Sequence, residues 1–141
     1  METNRHMEEV IVRRAPVTMR PDTTVQDACR EMRAQRIGAV LVTDVQGHLL
    51  GIFTGRDAVC RIAAEGRDAA KTTLAEVMTE HPDTMGPQAR AVEALRVMRD
   101  AGFRHMPVVE GDRLLGVVSR GDFQATEEAR LENDTYLWER L

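Results

Sequence analysis

Residues 49 to 57 read Leu-Leu-Gly-Ile-Phe-Thr-Gly-Arg-Asp, and residues 114 to 122 read Leu-Leu-Gly-Val-Val-Ser-Arg-Gly-Asp. The two copies lie 65 positions apart, nearly half of the 141-residue chain. Each is a short apolar strand that breaks into a Ser/Thr-x-x-Asp step. A repeat of this length means one supersecondary unit made twice, each copy too small to bury its own apolar face.

The copies match well beyond that phrase. Ala15-Pro16-Val17-Thr18-Met19-Arg20-Pro21 aligns with His81-Pro82-Asp83-Thr84-Met85-Gly86-Pro87 at an offset of 66, and the prolines hold both segments extended. Val25, Ala28, Cys29 and Met32 then recur at helical spacing, as do Ala91, Ala94, Leu95 and Met98. Gly38 and Gly102 lie close to the predicted helix ends. Strands are expected over Ala39–Thr43 with His48–Phe53, and over Met106–Val109 with Arg113–Val118. The second turn is one residue shorter, so the offset falls from 66 to 65. A second helix should follow each step, with Ala58, Val59, Ile62 and Ala63 on its apolar face in the first copy.

The expected organisation is therefore α+β: two βαββα repeats about a pseudo-twofold axis, packed sheet to sheet. Repeat 1 spans 8–66, a polar connector 67–73, repeat 2 74–126, and a C-terminal helical extension 127–141. The helical stretch is read from Phe123 onward, with Leu131, Leu137, Trp138 and Leu141 as a partial apolar stripe suited to a partner subunit.

Charge and composition narrow the function. The formal net charge of −4 argues against a nucleic-acid partner, which needs a basic face. No apolar run reaches 18 residues, and the polar N-terminus is unlike a signal peptide, so the reading is cytoplasmic and without membrane contact. Cys29 and Cys60 are isolated and read as small hydrophobes on apolar helix faces. His6, His48 and His81 form no metal spacing, and no nucleophile sits with a base, so neither a metal site nor an enzyme is expected.

The repeat length, the Pro-x-Thr fronts, Arg104-His105-Met106-Pro107-Val108-Val109 and the paired Leu-x-Gly-h-h-Thr/Ser-x-x-Asp together resemble the tandem cystathionine-β-synthase (CBS) domain pair, in its stand-alone bacterial form. The resemblance covers residues 9 to 131. It implies a disc-like module with two clefts that take adenosine-containing ligands: AMP first, or ADP, ATP, NAD(H) or S-adenosylmethionine. It also implies a homodimer that signals through a regulated protein the sequence does not name, and it leaves no residues for a catalytic domain. No cofactor is required.

The resemblance assigns Asp57 and Asp122 to the ribose, with Thr54 and Ser119 beside them. Chemically, a helix start favours anions, and a carboxylate can accept two bonds from a ribose diol. The competing explanation is a capping box, in which hydroxyl and carboxylate satisfy their own backbone. Arg56, Arg104 and His105 match basic positions that face phosphate in the family. Thr18, Thr84, Gly38, Ala39, Met106 and Pro107 are expected as walls of the adenine slots. Gly38 stands where Arg104 does, and Gly121 where Arg56 does, so the copies carry unequal basic groups; Val40-Leu41 stands where the second copy has Met106-Pro107, so the two clefts should differ in shape and affinity. The alternative function is an assembly module with vestigial clefts.

Overall fold

A computed structural model describes residues 5–11, 15–124, 127–129 and 131. The elements run α1 (Met7–Val10), β1 (Thr18–Met19), α2 (Val25–Gln35), β2 (Ala39–Thr43), β3 (Leu49–Thr54), α3 (Gly55–Asp57), a π-helix (Ala58–Ala63), α4 (Leu74–Val77), β4 (Thr79–Glu80), α5 (Ala91–Ala101), β5 (His105–Glu110), β6 (Arg113–Ser119) and a 3-10 turn (Arg120–Asp122). The chain divides into two compact units. One is Pro16–Pro82 with Asp112–Leu114; the other gathers Met1–Ala15, Asp83–Gly111 and Leu115–Leu141.

The first unit holds a sheet in the order β1-β2-β3-β4. β1 runs parallel to β2, with Thr18 opposite Leu41, and β2 and β3 form the predicted hairpin, with Ala39 opposite Thr54. All five residues of β2 are buried, as the unbroken apolar run requires. The hairpin turn is closed by Asp44, whose Oδ1 accepts from the amides of Gln46 and His48 at 2.9 Å each, and by Gly47 at φ 86°. Val25, Ala28 and Met32 of α2 enter the core with Val40, Val42, Phe53 and Leu74.

The second unit repeats this plan. β5 pairs with β6, and Met85 bridges Val108 in parallel, as Met19 pairs Val42 in the first. Ala91, Ala94, Leu95 and Met98 of α5 pack with Met106, Val108 and Val118. Gly102 takes the left-handed conformation at the end of α5, as its position predicts.

Each unit borrows a segment from the far side of the sequence. In the second unit α1 docks on the front of repeat 2: the Met7 amide donates to the Ala89 carbonyl at 2.7 Å and Glu8 to Pro87 at 2.9 Å. In the first unit α4 docks on the front of repeat 1 by the matching bonds, Leu74 to Thr23 and Ala75 to Pro21, at 2.9 Å each. The sequence repeat and the compact unit are thus different divisions of the chain.

These borrowed segments explain the repeated glycine. A Cβ on Gly51 would stand 2.7 Å from both Met78 Sδ and the Thr79 carbonyl oxygen, and one on Gly116 would stand 2.8 Å from Ile11 Cγ2. The residue after α4, or after α1, lies flat on the return strand of its unit, and only glycine leaves room.

Four expectations are corrected. Helix α2 ends at Gln35 and is capped by Arg36, which itself adopts φ 56°, so Gly38 is not its cap. The helix after the first step is mostly π-wound: the Ala64 amide donates to the Val59 carbonyl and Arg67 to Ile62, five residues back. That winding dissolves the four-residue apolar face, so Ile62 is buried while Val59 and Ala63 are exposed. The same change leaves Cys60 exposed, while Cys29 is half-buried and burial pushes its thiol up. Phe123 is extended rather than helical, because the chain turns there to bury the ring. Residues 127–129 and 131 are helical; Leu137, Trp138 and Leu141 lie outside the described residues.

Candidate functional site

Both Ser/Thr-x-x-Asp steps sit where a return strand ends beside the start of its hairpin partner. In the first unit the Gly55 amide donates to the Gly38 carbonyl at 3.1 Å, locking the step to the residue before β2. In the second the Arg120 amide donates to the Arg104 carbonyl at 3.0 Å. The sequence places Arg104 where the first copy has Gly38, and the backbone confirms the correspondence.

Each step is a capping box. The Thr54 amide donates to Asp57 Oδ2 at 2.9 Å, its hydroxyl to the same oxygen at 3.1 Å, and the Asp57 amide returns a bond to Thr54 Oγ1 at 3.3 Å. Ser119 does likewise, with its amide 2.7 Å and its hydroxyl 3.3 Å from Asp122 Oδ2. The capping reading is therefore correct as local structure. It uses one oxygen of each carboxylate. Oδ1 of Asp57 is 3.5 Å from Arg61 Nε, whereas among the described residues no hydrogen bond or ion pair reaches Oδ1 of Asp122.

Arg61 was not foreseen, although its position four residues after Asp57 on a helix was a readable signal. Its Nη1 also donates to the carbonyls of Val77 and Met78 at 2.8 and 3.1 Å, which holds the cation in place.

The remaining candidates fall into two sets. The first unit brings Thr18, Gly38, Ala39, Thr54 and Asp57 to the β1-β2-β3 side of its sheet, with Arg56 exposed on the turn between Thr54 and Asp57. Ala39 is buried, while Thr18 and Gly38 are exposed. In the second unit Met106 and Pro107 are buried in β5, and the Met85 amide donates to the Pro107 carbonyl at 3.2 Å, which places Thr84 at the same strand. Thr84 and Arg104 are exposed. His105 is half-buried; desolvation pushes its imidazole below the usual 6.5, the Arg104 charge pushes the same way, and Asp122 opposes them. His105 and Asp122 therefore share one field.

Among the described residues no group of three or more His, Cys, Asp or Glu is arranged to hold a metal, and no helix is long and apolar enough to cross a membrane. What the steps offer is a carboxylate oxygen and a hydroxyl at a strand end, groups that can hydrogen-bond a polar ligand.

The comparisons with known proteins point one way. The family model for the CBS domain matches residues 7–64 and again 74–125. The CBS domain-containing protein YhcV of Bacillus subtilis is 33% identical over 110 residues, covering 78% of this chain and 77% of that protein. CBSCBSPB2 of Arabidopsis thaliana is 41% identical over 102 residues, 72% of this chain, but the match spans only 19% of that longer protein. A CBS-domain containing protein from Agrobacterium tumefaciens superposes with a TM-score of 0.78 at 34% identity, covering 89% of this chain and 98% of that one. A CBS domain protein from Pyrobaculum aerophilum, solved in complex with AMP, has the same fold at a TM-score of 0.80 and 22% identity, covering 91% and 98%. None of these indicates a catalytic family. With both repeats matched and the fold shared, the chain belongs to the CBS-domain family and carries two CBS domains in tandem.

Proposed function

We propose that the protein is a non-catalytic regulatory module that binds an adenosine-containing ligand, AMP foremost, through Thr54–Asp57 and Ser119–Asp122, and that it signals through a partner protein. One observation carries the reading: both capping boxes spend a single carboxylate oxygen on their own backbone, and among the described residues nothing bonds Oδ1 of Asp122, which can then accept from a ribose hydroxyl. The AMP complex of the Pyrobaculum protein supports the ligand class. Arg56, Arg104 and His105 supply positive charge or donors for phosphate, and Thr18, Gly38, Ala39, Thr84, Met106 and Pro107 are the proposed surroundings of the base. ADP, ATP, NAD(H) and S-adenosylmethionine share the adenosine group and belong to the same test. The proposed working form is a homodimer, to be checked by light scattering.

A second reading, an assembly module with vestigial clefts, is favoured by the completeness of the capping boxes, since a cap needs no ligand. Calorimetric titration with each nucleotide, in wild type and in Asp57→Ala with Asp122→Ala, separates the two. Binding that the double change abolishes supports the sensor. No heat with any of the five ligands supports the assembly module.

A further inference from the structure

The Arg5 guanidinium holds three parts of the second unit together. Its Nη2 and Nε donate to Glu127 Oε1 and Oε2 at 2.7 and 3.0 Å. Nη2 also donates to the backbone carbonyl of Asp122 at 3.2 Å. The Arg5 carbonyl in turn accepts from the Ala91 amide, the first of α5, at 2.8 Å. Glu127 is fully buried, and its Oε1 also accepts from the Gln124 amide at 2.7 Å. Two buried residues, Phe123 and Leu131, flank Glu127 in sequence.

The first unit has no such device at the equivalent place. There the residue whose carbonyl accepts from the first amide of α2, at 2.8 Å, is Thr72, and its hydroxyl only donates to Asp68 at 2.8 Å. The Asp57 step is held instead by Arg61 from its own helix. One step is thus braced locally through its side chain, the other through its main chain by a cation 117 positions away.

We propose that Arg5, clamped by Glu127, is a positioning residue for the Asp122 step, so that occupancy of the Asp122 site is coupled to the docking of residues 5–11 and of residues 127–129 and 131, while the Asp57 site is independent of both. The nucleotide half of this statement rests on the function proposed above. The physical basis is that a bidentate pair with a buried carboxylate is geometrically specific. Fixing the Asp122 carbonyl fixes the turn whose carboxylate receives the Ser119 amide. Coupling is reciprocal: a ligand that needs this turn in place favours the docked arrangement of Arg5 and Glu127 by the same factor.

The test replaces both charges by apolar side chains of similar length, Arg5→Met with Glu127→Met, which removes the clamp without stranding a buried charge. Three quantities are measured on the full chain: melting temperature, hydrogen exchange at the Ser119 and Thr54 amides, and AMP affinity in Asp57→Ala and in Asp122→Ala backgrounds. With the fold retained, Ser119 exchange should quicken roughly tenfold while Thr54 is unchanged. AMP affinity should fall roughly tenfold in the Asp57→Ala background and stay constant in Asp122→Ala. Unchanged Ser119 exchange together with unchanged affinity would overturn the proposal. Should the double variant not fold, Arg5→Lys keeps the charge and loses the fork, and the same site-selective changes, smaller in size, are required of it. If AMP binds in neither background, the nucleotide reading fails, and Ser119 exchange alone decides the clamp.

Discussion

Gly51 lies directly beneath Met78, so close that a Cβ would stand 2.7 Å from the sulfur. The thioether could swing aside, but the Thr79 carbonyl oxygen is equally near and belongs to the backbone of β4, which pairs with β3 through Gly51 and Glu80. Gly51→Ala should therefore cost about 2 kcal/mol or more through forced backbone movement. For Gly116→Ala the nearest atoms are those of the Ile11 side chain rather than backbone, and the change should cost less. Urea unfolding of the two variants ranks them; equal midpoints would contradict the close approach.

The Arg5–Glu127 pair predicts a pH effect with a definite sign. Burial would raise the Glu127 carboxyl, but the hydrogen bonds and charge of Arg5 and the Gln124 amide prevail, and it lies below its ordinary 4.5. A carboxylate depressed on folding adds stability that is complete above 4.5 and is lost as pH falls through the folded value. Acid unfolding followed by circular dichroism should show a shallower decline in Glu127→Gln than in wild type. Glu127→Ala at neutral pH leaves Arg5 without its partner and should cost about 3 kcal/mol.

His105 acts in a higher window. Its folded value lies below 6.5, chiefly through desolvation, so the unfolded chain takes up the proton first. Stability from this residue is intact above 6.5 and declines as pH falls towards the folded value, after which the slope vanishes. Thermal melts between pH 7.5 and 5 should show that slope in wild type and lose part of it in His105→Asn. A slope identical in both would remove His105 as its source.

The two cysteines should differ in reactivity. Cys60 is exposed on the π-helix, while Cys29 is half-buried with a thiol raised by desolvation. With a thiol-reactive dye at pH 8, Cys60 should label at least roughly tenfold faster. Equal rates would argue that the first turn after Asp57 is α-wound, with Cys60 turned inward.

Much of this architecture was readable in advance because it is local. The apolar spacing of Ala91, Ala94, Leu95 and Met98 is a helix face wherever the helix lies, and all four are buried. Asp44 and Gly47 close a hairpin turn with their own neighbours. The Thr54–Asp57 and Ser119–Asp122 boxes each span four residues, legible as caps from spacing alone.

Where reading failed, the cause was a competing local choice or a distant partner. Arg36 took the left-handed position that a glycine two residues later seemed placed for. A π turn, whose extra residue no periodicity announces, carried Val59 outward and kept Ile62 in. Nothing in the sequence marks Arg5 and Glu127 as a pair, for 122 positions separate them and neither stands in a motif.

The chain's periodicity and turn chemistry alone dictated two copies of one strand-and-helix unit, each ending in an acid-bearing cap, because such preferences act between residues a few positions apart. Which segments complete each unit was settled only in three dimensions. Residues 5–11 complete the second and 73–80 the first, since each return strand carries a glycine that a foreign segment can cover, and the Arg5–Glu127 bond forms only once the fold brings together two residues 122 positions apart.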